Sequence, residues 1–305
     1  MIDSSNLALE RQDKLWPPAA AAELGDLGRA RRGWAAPVCA VTSGKGGVGK
    51  TNVVANLATA LRQRDRRVLA IDADLGLANL DLFLGVKPAF TLADFFAGRA
   101  PLGEIILTNP DGILVMPGAS GVQEITALSA EQKAALLTEL DLLTHKMDVV
   151  LVDTGSGISD TVTYFTSAAQ VIVVVVTPEP SSMTDAYALV KVLASQHRQQ
   201  RFVVLANNAG DEAEAFRLFD SLSRTALRFL NVSLDYLGWI PRDAKLLWAA
   251  ARARPVVSDC PDAPSAKAFV RLADKLLRRT DSAIELKGNL QFFFRRILEA
   301  GKVRQ

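Results

Sequence analysis

A glycine-rich run between an apolar stretch and an amphipathic stretch constrains this chain more than any other feature. The run is Gly44-Lys-Gly-Gly-Val-Gly-Lys-Thr51, and it fits the pattern G-x-x-x-x-G-K-S/T. Residues 38–42 before it are apolar and favour a strand, and residues 50–64 after it have helical periodicity. In such a strand–loop–helix unit, the backbone N–H groups of the loop and the helix N-terminus converge on one place. The pattern therefore predicts a phosphate-binding loop.

The loop combines a backbone cradle with two charged or polar side chains. Glycines let the backbone approach phosphate oxygens in conformations that a Cβ would obstruct. Lys50 is placed to reach the β- and γ-phosphates of a nucleotide, and the Thr51 hydroxyl is placed to ligate Mg²⁺. The residues predicted to contact the nucleotide are Gly44, Lys45, Gly46, Gly47, Val48, Gly49, Lys50, Thr51 and Asn52.

Beyond the loop, short apolar runs alternate with amphipathic stretches. The predicted strands are residues 38–42, 67–71, 113–116, 149–152, 171–176, 202–206 and 234–240. The predicted helices are residues 50–64, 129–144, 181–196, 212–229 and 242–252. Several runs are apolar on both faces, as expected of parallel strands covered by helices on each side. We therefore predict an α/β fold with a doubly wound, mostly parallel sheet flanked by helices, and ligands beyond the carboxyl ends of the strands.

Two more predicted strands end in aspartates. Residues 72–81 read Asp-Ala-Asp-Leu-Gly-Leu-Ala-Asn-Leu-Asp, and residues 153–157 read Asp-Thr-Gly-Ser-Gly. Phosphoryl transfer needs charge compensation and a positioned water more than covalent chemistry. Carboxylates beside a phosphate loop are placed to organise Mg²⁺ and that water. The alternative is that the first pair only caps a helix or a loop.

The loop and the two aspartate segments together resemble the MinD/ParA family of ATPases. The second lysine of the loop, Lys45, is similar to a lysine of that family that reaches the nucleotide of a partner subunit. The resemblance implies a homodimer joined by ATP, in which Lys45 and Lys50 act on the phosphates. A Lys45 that contacts only solvent or its own nucleotide is the alternative.

The same resemblance implies roles around the terminal phosphate. It implies that Asp74 positions the attacking water, that Asp72 supports the metal shell and that Asp153 holds Mg²⁺ together with Thr51. It also implies that Gly155 lets its loop approach the γ-phosphate and move when that group leaves.

On the base side, the resemblance implies that Asn207, Pro241 and Asp243 surround adenine. A neutral amide both donates to and accepts from the adenine edge, which favours ATP over GTP. The region has no N-K-x-D sequence of the kind that reads guanine. A loop asparagine and a proline turn without a base contact are the alternative.

Two segments resemble the flagellar branch of the family, the FlhG (FleN) group. They are residues 177–189, Thr-Pro-Glu-Pro-Ser-Ser-Met-Thr-Asp-Ala-Tyr-Ala-Leu, and the Asp-Thr-Gly-x-Gly sequence at residues 153–157. This resemblance implies control of flagellar number or placement, with the GTPase FlhF, C-ring components or a flagellar transcription regulator as partners. It does not extend to residues 10–15, which lack the N-terminal motif by which FlhG relatives act on FlhF.

The C-terminal residues have the pattern of an amphipathic helix. Bulky apolar side chains with flanking cations suit a helix that lies in a membrane interface. Two copies joined by ATP would bind far better than one, which links nucleotide state to membrane residence. A terminal helix packed on the protein body is the alternative. Helical spacing places on one arc Leu290, Phe293, Phe294, Ile297 and Leu298.

Composition completes the expectations. We predict a flexible arm at residues 1–36, the ATPase domain at residues 37–280, and a linker with the amphipathic helix at residues 281–305. No apolar run approaches the roughly 18–20 residues of a membrane span, so we expect a cytoplasmic protein that is peripheral on the inner face of the cell membrane when it holds ATP.

Charge and cysteine usage weigh against several other functions. The net charge of +2 gives no strong attraction to nucleic acid, which counts against a ParA-type partitioning ATPase. Cys39 and Cys260 are too few and too far apart for a disulfide framework or a zinc site. They also lie away from the positions that an iron-sulfur reductase of this fold or an arsenite pump would need. A MinD-type cell-division ATPase, a ParA-type partitioning ATPase and a non-catalytic nucleotide-binding scaffold remain alternatives.

Overall fold

The backbone forms one predominantly parallel sheet with helices on both faces. A computed structural model of the protein describes residues 36–74, 78–118, 136–140, 146–287 and 293. The strands of the described sheet lie in the order β3-β4-β2-β5-β1-β6-β7-β8, and the β3–β4 pair is antiparallel. Their bounds are β1 Val38–Ser43, β2 Val68–Ala73, β3 Leu107–Thr108, β4 Leu114–Met116, β5 Val149–Ser156, β6 Val171–Val176, β7 Arg201–Ala209 and β8 Ser233–Pro241.

Helices follow most of the strands, as the alternating pattern predicts. They are α1 Lys50–Arg62, α2 Leu80–Phe83, α3 Leu92–Phe96, α4 Leu102–Ile105, α5 Asp160–Ala168, α6 Pro180–His197, α7 Glu212–Leu230, α8 Ala244–Ala251, α9 Val256–Asp259 and α10 Pro264–Lys287. Residues 136–140 are also helical, within a predicted helix that otherwise lies outside the described residues. The fold class and every predicted strand are confirmed, with strand ends that differ from the prediction by at most four residues.

The core explains why β1 can carry the phosphate loop rigidly. All residues of β1 are buried, and β5 and β6 flank it on its two sides. Cys39 and Val41 pack on the face covered by α1 and α10, whereas Val38 and Ala40 pack on the opposite face. Burying an aliphatic side chain of this kind contributes roughly 1.5–3 kcal/mol. The loop after Ser43 is therefore anchored at its strand end by packing on both faces of the sheet.

Helix α10 runs antiparallel to β8, from the edge where the parallel strands end (the carboxyl edge) to the edge where they begin (the amino edge). Near its start, the Ser265 N–H donates to Asp243, just after the end of β8, at 3.1 Å. Near its end, Arg279 bonds to Asp235, close to the start of β8, at 2.7 Å. The helix continues through residue 281, where the C-terminal segment is predicted to begin. Among the described residues, no helix combines the length and apolar character needed to cross a bilayer.

Both cysteines are free thiols. Cys39 is fully buried in β1, and burial raises the pKa of its thiol to about 12. A thiol with so high a pKa is inert, because the thiolate is the form that reacts and binds metals.

Candidate nucleotide-binding site

The glycine-rich loop connects the end of β1 to the start of α1, as its sequence predicts. Gly49 has φ +91°, and a Cβ there would lie 2.8 Å from the Asn207 amide nitrogen. A Cβ on Gly44 would lie 2.0 Å from the backbone oxygen of Asp185 in α6. Residue 44 must therefore be glycine because the backbone of α6 lies against the loop. Residue 49 must be glycine because its φ is positive and because a Cβ would collide with Asn207.

Lys50 lies at the first position of α1 and is largely buried. Burial lowers the pKa of its ammonium group, and the Asp153 and Asp74 carboxylates oppose that shift. The Lys50 ammonium group therefore lies within electrostatic range of two carboxylates, Asp153 in β5 and Asp74 after β2. A largely desolvated ammonium at this point interacts more strongly with a nucleotide phosphate than it would in water.

Asp153, in strand β5, lies near Lys50 at the carboxyl edge of the sheet. It lies beside Asp72 in the β2–β5 pairing and is 1% exposed. Neither carboxylate oxygen has a hydrogen-bond partner within the described residues, although the Thr51 hydroxyl is close enough to lower the pKa of the acid. Burial dominates and raises the pKa of Asp153 to about 7. A buried carboxylate without partners is costly, and a cation beside it would offset that cost.

We therefore expect Asp153→Asn to stabilise the nucleotide-free protein. A carboxyl whose pKa is raised on folding destabilises the fold increasingly as pH rises, and the full penalty is present above its folded pKa. An unmatched buried charge costs roughly 1–3 kcal/mol or more, so the melting temperature in EDTA should rise by about 2–10 °C near pH 8. Near pH 5, where Asp153 is neutral, the gain should be small.

Differential scanning calorimetry at both pH values measures this effect, with the exposed Asp111→Asn as the matched control. The same Asp153 variant should lose Mg²⁺-dependent nucleotide binding. A melting temperature that does not rise near pH 8, or that rises equally at both pH values, contradicts the assignment.

Asp72 is engaged with the backbone of its own loop. Its carboxylate accepts N–H bonds from Asp74, Asn79 and Leu80, each at 3.0 Å. Burial raises the pKa of Asp72 to about 6, and those three hydrogen bonds oppose the rise. The carboxylate thus joins Asp74 to the two residues at the start of α2, which fits the capping role that the sequence left open. Its support of the metal shell stays a prediction.

Asp74 lies within the same group of charges, partly exposed at the carboxyl edge. Its carboxylate oxygen is 3.6 Å from the place that a Cβ of Gly155 would occupy. A side chain at residue 155 would therefore crowd Asp74 as well as Val162, whose methyl carbon is 3.1 Å from that place. Its assignment as the residue that positions the attacking water stays a prediction.

The second loop is tied directly to the first. The Gly157 N–H donates to the Ser43 carbonyl at 2.9 Å, and the Ser43 hydroxyl donates to the Lys45 carbonyl at 2.7 Å. These two hydrogen bonds join residues 155–157 to the backbone that carries Lys45.

The Lys45 side chain extends to the start of α6. Its ammonium group forms an ion pair with Glu179 and donates to the Ser181 hydroxyl at 2.9 Å. The Lys45 side chain is 33% exposed and that of Glu179 is 57% exposed. These two partners lie in residues 177–189, the segment that resembles the FlhG group, and neither is among the predicted site residues. A sequence signal for them was present, since Glu179 and Ser181 are polar residues directly after a buried strand.

On the base side, the predicted residues lie at the ends of β7 and β8, but their polar groups already have partners. The Asn207 amide donates to the Val48 carbonyl at 2.8 Å and accepts from the Asn208 N–H at 3.0 Å. Asp243 accepts from Lys245 and Ser265, and these bonds hold the pKa of its carboxyl below the ordinary value despite burial, which raises it. Contacts of Asn207, Pro241 and Asp243 with adenine stay predictions.

The structure describes one of the residues predicted to bind a membrane. Phe293 is fully buried in the cluster on the α5 face of the sheet, with its ring centroid 6.1 Å from that of Phe165. This placement fits the alternative in which the terminal helix packs on the body. Outside the described residues lie Leu290, Phe294, Ile297 and Leu298.

Comparison with known proteins identifies the family. The model of the CobQ/CobB/MinD/ParA nucleotide-binding domain matches residues 39–256, which is more than half of the chain. The chain belongs to this MinD/ParA family. It is therefore an ATPase with the family's fold, and the predicted resemblance is confirmed.

Two relatives and one solved structure place the chain within the family. It is 44% identical to the antiactivator FleN of Pseudomonas aeruginosa over 86% of the chain and 93% of that protein. It is 34% identical to the flagellum site-determining protein YlxH of Helicobacter pylori over 85% of the chain and 89% of that protein. The septum site-determining protein MinD of Pyrococcus horikoshii, solved in complex with Mg-ADP, has a TM-score of 0.61 and 28% identity, and the match covers 79% of this chain and 96% of MinD.

Proposed function

We propose that this MinD/ParA-family ATPase is a switch in which ATP joins two copies of the chain and hydrolysis separates them. The observation that carries the proposal is the placement of Lys45. Its ammonium group lies at the protein surface against Glu179 and Ser181, whereas Lys50 occupies the buried side of the loop. The loop thus offers one lysine for its own nucleotide and a second that is available to a partner.

The interaction energies favour transfer of Lys45 from Glu179 to a phosphate when two copies of the chain associate. An ion pair between exposed groups contributes about 0–1 kcal/mol. Coupling energies measured between close charges across a protein interface are larger, about 1.5–7 kcal/mol. A phosphate enclosed between two copies would therefore attract Lys45 more strongly than Glu179 does in the single chain.

Apolar side chains around the carboxyl edge support the same assembly. Ile158, directly after the second loop, is 52% exposed, and Leu247 and Trp248 of α8 are also well exposed. Exposed apolar groups near a ligand site are typical of surfaces that bind another protein. A second copy placed over the nucleotide would bury them.

The residues present fit Mg²⁺. Asp153 supplies a buried carboxylate without a hydrogen-bond partner among the described residues, and the Thr51 hydroxyl lies beside it. Mg²⁺ in nucleotide sites is held by one or two protein oxygens together with phosphates and waters. When bound there, the ion would offset charge on the phosphates, while Lys50 neutralises the phosphate side of the loop and Asp74 orients the attacking water.

The biological role that we propose is control of flagellar number or placement. Support comes from the relatives named antiactivator FleN and flagellum site-determining protein YlxH, both of which match over most of their length. Flagellar proteins, namely FlhF, C-ring components or a flagellar transcription regulator, are the proposed partners. Proteins captured by the ATP-bound form and released by the ADP-bound form would identify them.

We also propose that the C-terminal helix, whose Phe293 packs on the body in the single chain, is released in the ATP-joined pair and holds that pair on the inner face of the cell membrane. Deletion of residues 288–305 should abolish ATP-dependent flotation with liposomes, because it removes the apolar arc. A full-length Phe294→Glu variant should weaken flotation in the same direction, because it places a charge among the apolar side chains of that arc. Truncated protein that still floats with ATP would contradict this part of the proposal.

A further inference from the structure

A cavity of about 770 Å³ lies at the amino edge of the sheet, away from the phosphate loop. Its wall includes the first residues of β6, β7 and β8, the residues that follow α6, and the last part of α10. All nucleotide-site residues lie at the carboxyl edge, so this cavity is a separate feature.

Residues from both faces of the strands line the cavity, Val171 and Val203 on one face and Ile172 and Phe202 on the other. Val203 of β7 lies beside Val173 of β6 and beside Asp235 of β8 in the strand pairing. Because side chains alternate along a strand, Arg201 shares the face of Val203. Val171 and Val203 line the cavity and keep slight exposure, 6% and 8%, so part of its floor is apolar.

Cations dominate the rim. The cationic lining residues are Arg198, Arg201, Lys275, Arg278 and Arg279. Among the described lining residues, Asp235 supplies the one carboxylate, and it is paired with Arg279 at 2.7 Å. Arg198, Arg201 and Lys275 have no ion pair or side-chain hydrogen bond within the described part of the chain. A concave surface lined by one sign of charge concentrates ligands of the opposite sign.

We propose that this cavity binds the phosphate group of an anionic ligand. Guanidinium groups match the oxygens of a phosphate through paired hydrogen bonds, and Lys275 adds a point charge. Two sources share this chemistry, the headgroup of an anionic phospholipid and a free phosphorylated molecule.

The course of α10 supports the lipid source. This helix approaches the amino edge and ends at Lys287, roughly two turns beyond Arg279. The described part of this helix therefore passes beside the cavity, and the predicted membrane segment follows it in the sequence. The lipid source rests on the proposed membrane association, whereas a free phosphate does not.

Two double variants with the same change in net charge test the proposal. Arg201→Glu with Lys275→Glu reverses two cavity cations. Lys191→Glu with Arg217→Glu reverses two exposed cations on α6 and α7, and neither residue lines the cavity. Both proteins should bind Mg-ADP as the unaltered chain does, which confirms folding.

In the first arm, full-length proteins with Mg-ATP are floated with vesicles of phosphatidylglycerol and phosphatidylcholine, or of phosphatidylcholine alone, at about 0.15 M salt. A basic residue near an anionic membrane contributes enough that the cavity variant should bind the anionic vesicles at least about tenfold more weakly. The surface variant should change by less than about threefold, since its cations do not face the ligand.

In the second arm, inorganic pyrophosphate is titrated into each protein with the nucleotide site saturated by Mg-ADP. Pyrophosphate should raise the melting temperature of the unaltered chain and of the surface variant, and leave the cavity variant unchanged. Asp235→Asn removes the competing carboxylate and should strengthen pyrophosphate binding several-fold, a gain that misfolding does not produce.

The proposal is supported if the cavity variant binds more weakly than the surface variant in either arm. Weaker binding to anionic vesicles identifies a lipid headgroup as the ligand, and weaker binding of pyrophosphate identifies a free phosphorylated molecule. Equal behaviour of the two double variants in both arms overturns it. Failure of the membrane helix is distinguishable, because deletion of residues 288–305 would then leave flotation unchanged while the pyrophosphate arm still reports on the cavity.

Discussion

An Asp74→Ala variant is expected to bind Mg-ATP, to hydrolyse it at least about 100-fold more slowly than the unaltered chain, and to accumulate as a dimer. General-base or water-positioning groups contribute about 10²–10⁴-fold to rates. Asp74 is placed for this role at the carboxyl edge, within the electrostatic reach of Lys50 and Asp153. The substitution should lower the turnover number and leave the affinity for ATP unchanged, because Lys50 and the loop backbone still hold the phosphates.

Phosphate release and sedimentation velocity, measured on the same sample, test this expectation. Asp81→Ala is the control from the same segment, since within the described part of the chain the Asp81 carboxylate accepts only the N–H of Leu82. An Asp74→Ala protein that hydrolyses ATP normally, or that remains monomeric with ATP, would show that the water is positioned by another group.

A Lys45→Ala variant is expected to weaken ATP-dependent dimerisation by roughly 30-fold or more, which corresponds to the loss of one desolvated charge contact at an interface. Nucleotide affinity of the single chain should change little, because Lys45 points to Glu179 and Ser181 rather than to the buried side of the loop. Lys50→Ala should instead lose nucleotide binding itself. The two variants thus distinguish a lysine that acts on the nucleotide of the partner subunit from one that binds the chain's own nucleotide.

Glu179→Gln provides the opposite change at the same contact. It removes the charge that competes for Lys45, so the variant should dimerise with ATP at least as well as the unaltered chain and at lower ATP concentration. Sedimentation equilibrium with a non-hydrolysable ATP analogue gives both dimerisation constants. Unchanged dimerisation in Lys45→Ala would refute the role of this lysine.

The placement of the glycine-rich loop beside Asp72 and Asp153 was predictable because the signals for these segments are local in sequence. The run from Gly44 to Thr51 carries its strand, its glycines and its helix within a few residues, and Asp72 and Asp153 each end an apolar run. Parallel strands then bring these separate segments to one edge of the sheet without further information. This is why the fold class and the placement of Lys50 beside Asp153 followed from the pattern.

Specific contacts between distant residues were not predictable. The sequence indicates that Glu179 follows a strand, but it does not pair Glu179 with Lys45 or Asn207 with Val48, because the residues of each pair are more than a hundred positions apart. Helix α5 is short and rich in threonine and serine, which weakens its helical signal, although Ser159 accepts the Val162 N–H at its N-terminus. The cationic cavity at the amino edge is assembled from β7, β8 and α10, and no single segment reveals it.

The most direct test measures the mass of the purified full-length protein in solution with Mg-ATP and with Mg-ADP. A non-hydrolysable ATP analogue serves as a second ATP-state sample. The proposal predicts a monomer of 32.8 kDa with ADP and a species of twice that mass with ATP or the analogue. Identical masses in all three samples, under conditions in which bound nucleotide is confirmed, would contradict it.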